Sequence, residues 1–173
     1  MKNKPIKIFI VEDNDVFALT LKADIENYFD NLLLNIQLFK TGEESWEKFR
    51  TEKPHVVILD YNLNSKISDA SDGSEVLVWF KRENPEVKVI LLTSEDSTDI
   101  AIQSFRNGAF DYVVKNEAQF KKIHISLFNV FNLVRLENET STYKNIVIGI
   151  VLSLAVLLGG MAAIRFVPML LGN

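Results

Sequence analysis

The sequence predicts an α/β domain, a (βα)5 doubly wound parallel sheet, followed by one C-terminal transmembrane helix. Two observations carry this. From Ile6 to Val114 short apolar runs alternate with longer amphipathic stretches, as in a parallel sheet with helices on both faces. Further on, Ile146 to Ile164 contains no charged residue and is long enough to cross a bilayer core as a helix.

Ile6 to Val11, Val56 to Asp60 and Val87 to Thr93 are apolar and rich in β-branched residues, as central strands buried on both faces should be. Leu33 to Phe39 and Phe110 to Val114 supply two weaker candidates, giving five strands. Phe17, Leu21, Ile25 and Tyr28 recur at helical spacing after the first strand. Val76, Leu77 and Phe80, then Ile100, Ala101 and Phe105, do so later, and each set is expected to press on the sheet. A fifth helix is read from Phe120, Ile123, Leu127, Val130, Phe131 and Val134, which share one stripe. There is no internal repeat.

After Leu136 a polar stretch, Glu137 to Asn145, reads as a linker, and an extended chain of that length reaches about 30 Å. The expected units are residues 1–136, the linker 137–145, and a transmembrane helix at 146–167 with a tail to 173. Arg135 and Lys144 precede the apolar run and Arg165 follows it, which leans only slightly toward a cytoplasmic N-terminal side. Ala155, Gly159 and Ala163 fall at four-residue spacing, a pattern that lets two membrane helices approach.

Composition narrows the function classes. The chain has 173 residues and a net charge of −4 with mixed signs, and no basic stripe of the kind that nucleic-acid binding requires. Without Cys there are no disulfides or thiolate metal sites, and His55 and His124 stand too far apart for a local metal motif. Met1 to Pro5 leads directly into a strand, without the apolar core of a signal peptide, so the domain is expected to stay where it is made.

In open α/β sheets ligands collect beyond the carboxyl ends of the strands. Strand one ends in Glu12 and Asp13, strand three in Asp60, strand four in Thr93 and Ser94, and strand five in Lys115. Three acids, a hydroxyl and an ammonium therefore converge on one crevice. Crowded carboxylates call for a hard divalent cation with oxygen ligands, and magnesium is the expected ion. Each residue alone has a plainer use: Asp13 or Asp15 as a helix cap, Thr93 as a cap, Lys115 as a solvated cation. Five suitable groups at one sheet edge exceed what capping requires.

These residues lie in ordered motifs: Val11-Glu12-Asp13, Leu59-Asp60-Tyr61-Asn62-Leu63, Asp72-Gly73, Leu92-Thr93-Ser94, and Gly108 through Lys115. With them, residues 4 to 136 resemble the receiver domains of bacterial response regulators. The resemblance implies a flavodoxin-like sheet of strand order 2-1-3-4-5. It further implies that Asp60 attacks the phosphorus of a phosphohistidine on a sensor histidine kinase or phosphotransfer protein, as a carboxylate nucleophile. By the same match, Asp13, Asp60 and the Asn62 carbonyl hold Mg2+ with Glu12 supporting it through water. Lys115 and Thr93 contact phosphoryl oxygens, and Tyr112 swings inward as Thr93 moves. Added phosphoryl charge is expected to draw the loops of Thr93 and Lys115 toward Asp60 and change the face made by the fourth helix, the fifth strand and the fifth helix.

Two features depart from the family pattern. Asn116 stands where Pro usually follows the lysine, so either a trans bond or a strained loop is expected, because a cis bond without Pro costs about 2.5–4 kcal/mol. The stretch from Asn64 to Asp72 is unusually long and rich in Ser, Asp and Asn, reading as an exposed loop.

The expected protein is thus a single-pass component of the inner (cytoplasmic) membrane with its receiver in the cytoplasm. Its expected partners are a kinase or phosphotransfer protein, membrane lipid, and a second copy meeting through the fourth-helix face or the transmembrane helix, with no nucleic acid. Its only chemistry would be its own phosphorylation and dephosphorylation. The rival is a receiver-like binding module that recruits partners to the membrane without phosphorylation. A dinucleotide enzyme is excluded, because Glu12-Asp13-Asn14-Asp15 offers no glycine to a pyrophosphate and repels it.

Overall fold

A computed structural model describes residues 5–63 and 71–171, except for the side chains of 137–145, 154 and 157–171. The elements are β1 (Ile6–Val11), α1 (Asp15–Tyr28), β2 (Leu34–Phe39), α2 (Gly42–Glu52), β3 (Val56–Asp60), α3 (Gly73–Glu83), β4 (Lys88–Thr93), α4 (Thr98–Arg106), β5 (Asp111–Val114) and α5 (Gln119–Leu171). The chain divides into two compact units, Met1–Phe131 and Asn132–Asn173.

In the first unit the five strands form one parallel sheet of order β2-β1-β3-β4-β5. All five expected strands form, each within a residue of its expected limits. Every residue of β3 is buried, and so are the last four of β1 and the last five of β4, as covering both faces of a sheet requires. Register places Val11 beside Leu59, Asp60 beside Leu92, and Thr93 beside Val114. The carboxyl ends of β1, β3, β4 and β5 therefore lie side by side.

The helices start at side-chain caps that spare their orphan N–H groups. Asn14 Oδ1 accepts from Val16 N and Phe17 N, so Asn14, rather than Asp13 or Asp15, caps α1. Thr41 caps α2 and Asp72 caps α3, while Ser97, not Thr93, caps α4. Helix α2, for which the sequence offered no residues, inserts Phe49 into a cluster with Phe9, Leu59 and Phe80, and Trp46 and Trp79 pack against it. The rings of Phe49 and Phe80 stack at 4.5 Å.

Two helix faces differ from expectation. On α1, Ala18, Leu21 and Ile25 are buried but Tyr28 is 61% exposed, its ring stacked at 3.8 Å on His124, whose Nε2 lies 2.5 Å from Asp24 Oδ2. On α4 the only buried residue is Ser104, whose hydroxyl donates to Ile100 O, while Phe105 is 51% exposed. Ile100 is half-buried, and Ile102 and Phe105 stay outside. On α5, Ile123, Leu127, Val130, Phe131 and Val134 are buried as expected and Phe120 is half-buried.

Residues 137–145, expected as an extended linker, are helical, because the segment contains neither Pro nor Gly to end α5. Over that stretch a helix rises about 14 Å, not 30 Å. Among the described residues no helix is long and apolar enough to cross a membrane, so the transmembrane helix expected at 146–167 is not supported. Much of that run, with Gly159, Ala163 and the tail to residue 173, lies outside the described side chains. Most of the expected loop, residues 64–70, is likewise outside the described residues.

Replacing Phe49 with Ala is expected to cost about 3–5 kcal/mol, because a fully buried ring leaves a cavity between α2 and α3. Urea unfolding followed by the fluorescence of Trp46 and Trp79, which border that cavity, measures it.

Candidate functional site: an acid cluster at the sheet edge

Parallel pairing of β1 with β3 brings the chain end of one strand, Glu12 and Asp13, against the last residue of the other, Asp60. All three carboxylates are buried, and an oxygen from each lies within 4.8 Å of the others. Lys115, just past β5, spans the group: its ammonium lies 2.8 Å from Glu12 Oε2 and 2.9 Å from Asp60 Oδ2. It is thus an ion-pair partner with a side chain only 17% exposed, not a solvated cation.

Burial dominates the electrostatics of Glu12. Removal from water, reinforced by the charge of Asp60, pushes its pKa up to about 7, against the opposing pull of Lys115 and the Asn14 N–H. Three acids faced by one ammonium leave net negative charge in a dry site. The donor set, all hard oxygens, suits a small divalent cation, so Glu12, Asp13 and Asp60 fit magnesium.

The remaining expected residues are near the same edge. Thr93 is fully buried at the end of β4, and its hydroxyl accepts from Glu95 N at 3.1 Å. Asn62 follows Asp60, with its backbone N–H 3.4 Å from Asp60 Oδ1. Tyr112 is half-buried on β5 and its hydroxyl donates to the Glu95 carbonyl at 2.6 Å, so one loop is tied both to Thr93 and to Tyr112. No peptide bond is cis among the described residues, so Lys115–Asn116 is trans. Asn116 uses its side chain instead, accepting from Ala118 N at 3.0 Å while its carbonyl accepts from Gln119 N, which turns the chain into α5.

Two site features were not legible beforehand. Phe17, read as a core residue of α1, has its ring centroid 4.9 Å from the Lys115 ammonium, and the Phe120 ring centroid lies 6.1 Å from that of Phe17. The Phe17 ring offers the lysine an apolar and weakly attractive surface. Gly73 is required by contact: a Cβ there would lie 2.1 Å from the Asp60 carbonyl oxygen and 2.8 Å from Tyr61 Cα. Its N–H also donates to the Tyr61 carbonyl at 2.9 Å, clasping the start of α3 to the end of β3.

The position of Glu12 sets a pH dependence. With a pKa raised to about 7, it is largely protonated at pH 6 and ionised at pH 8 in the cation-free domain. Protons and cation then compete for the cluster, so magnesium affinity is expected to fall as pH drops through 7. Calorimetric titration across that range checks this, and Glu12→Gln is expected to flatten the dependence.

The response regulator receiver domain family matches residues 8–126. The transcriptional regulatory protein ZraR of Klebsiella oxytoca is 25% identical over 142 residues, covering 82% of this chain and 30% of the relative. The luminescence regulatory protein LuxO of Vibrio campbellii is 25% identical over 137 residues, covering 79% of this chain and 28% of the relative. The chain therefore spans under a third of the length of these relatives. In fold it is similar to the signal receiver domain of a LuxO repressor from Vibrio parahaemolyticus, with a TM-score of 0.67 at 23% identity, covering 78% of this chain and 96% of the other. A relative that regulates transcription leaves nucleic acid open as a partner in the family, which the charge reading had set aside. Receiver domains are signalling domains that interact with histidine kinases or phosphotransfer proteins and bind magnesium in an acidic pocket, and by its matched residues, fold and acid cluster this chain belongs to the response regulator receiver domain family.

Proposed function

We propose that the chain accepts a phosphoryl group on Asp60 from the phosphohistidine of a sensor kinase or phosphotransfer protein. The observation that carries the reading is the buried Asp60 carboxylate, joined by Lys115 to Glu12 at the open end of the sheet. A carboxylate oxygen of Asp60 forms the new P–O bond as the P–N bond to the donor histidine breaks, leaving an acyl phosphate. A bound magnesium ion would screen the acids and orient the incoming group. Lys115 keeps its ammonium within reach of Asp60 and pairs with a phosphoryl oxygen after transfer, and the Thr93 hydroxyl turns from Glu95 N toward the same group. That turn pulls on the loop which also holds Tyr112, so Tyr112 and α4 change position together and the α4-β5-α5 face reports the modification.

A small-molecule phosphodonor is expected to add one phosphoryl group to the chain, and Asp60→Asn to abolish the addition, as read by intact-protein mass spectrometry. No addition to the wild-type chain would favour the rival reading, a binding module that recruits partners without phosphorylation.

Membrane association is proposed from the sequence: Ile146 to Ile164 lacks charge, and Ile146, Ile148, Val151 and Val156 are exposed on α5. A helix apolar on all sides requires an apolar surrounding. The receiver then sits on the cytoplasmic side of the inner membrane, where kinases and magnesium are available. The chain is expected in the membrane fraction, released by detergent but not by high salt, with a C-terminal tag accessible only from outside. Recovery in the soluble fraction overturns the anchor and leaves the Asp60 chemistry untouched.

A further inference from the structure

The second unit carries an apolar pattern that the membrane reading does not use. Along α5, Leu133, Leu136, Thr140, Tyr143, Val147 and Ile150 follow one another at alternating steps of three and four residues. Leu154 and Leu157 continue the series. This is a heptad seam with a at Leu133 and d at Leu136. It begins where the second unit begins, since Asn129 and Ser126, the two preceding positions of the series, are polar. Within the second unit the seam leaves out Val134, which is buried. Leu133, Leu136, Val147 and Ile150 are exposed, by 38% to 58%.

We infer that α5 pairs with α5 of a second copy of this chain in a parallel, left-handed coiled coil along this seam. The polar positions beside the seam say which occupant fits. Glu139 falls at g and Lys144 at the following e, five residues on, which is the spacing that pairs opposite charges between two parallel helices in register. Two such pairs arise by symmetry in a homodimer. A heptad seam has the geometry of left-handed membrane helix pairs too, so it runs on into the uncharged segment without a change of face. It is also distinct from the stripe of Ala155, Gly159 and Ala163, which falls at b, f and c.

The absence of Cys from the chain gives a direct test. Single-cysteine variants of the full chain are oxidised in intact cells and resolved without reductant, a readout independent of phosphorylation and of membrane insertion. Leu136→Cys, Val147→Cys and Ile150→Cys are expected to give disulfide-linked dimers in several-fold higher yield than Arg135→Cys, Ile148→Cys and Ala155→Cys. Lys144→Glu is expected to lower the yield at Val147→Cys, and adding Glu139→Lys to restore it. Equal yields at all six positions, no dimer at any, or the greatest yield at Ala155→Cys overturns the seam. A dimer indifferent to both charge reversals overturns the parallel register.

Discussion

The Lys115 ammonium, held between Glu12 and Asp60, is the contact on which the first unit depends. Carboxylates that close, and that buried, repel one another and lose hydration, costs which grow steeply as water is excluded. One cation of fixed position offsets part of that cost. It is delivered from the far edge strand, so the sheet must close its order β2-β1-β3-β4-β5 before the acids acquire their counter-charge. The ring of Phe17 then lies against the ammonium on one side.

The same arrangement leaves charge at the site only partly compensated. Lys115 faces three acids, of which Glu12 holds its proton to about pH 7, and Thr93 and Tyr112 meet on one short loop. Anything that brings positive charge to the acids, or new acceptor oxygens to Lys115 and Thr93, shifts a set of groups that already share partners. Helix α4, anchored through Ser104 and carrying Ile102 and Phe105 outside, has few apolar contacts to resist such a shift.

The sequence was most informative where burial on two sides leaves a continuous apolar run. β1, β3 and β4 were legible for that reason, while the edge strands β2 and β5, with one buried residue each, offer weaker runs. Helix α2 was not legible, because Gly42–Glu52 is mostly charged and only Trp46 and Phe49 mark its inner face. Helix α4 misled in the opposite way, since Ile100 and Phe105 have helical spacing yet its buried residue is a serine. The contact of Phe17 with Lys115 joins opposite ends of the domain, and no local pattern announces it. The polar segment 137–145 reads as a linker because it carries no apolar stripe, whereas without Gly or Pro nothing stops a helix already nucleated upstream.

Gly73 has a consequence for how this chain tolerates change. Its N–H clasps Tyr61 and its bare Cα rests on the carbonyl of Asp60, so the stretch that departs after Leu63 is pinned again at its return. Residues added between those two points are expected to leave β3 in place, because the cost of closing a connection grows only slowly with its length. The connection between β3 and α3 can therefore vary in length while Asp60 keeps its place.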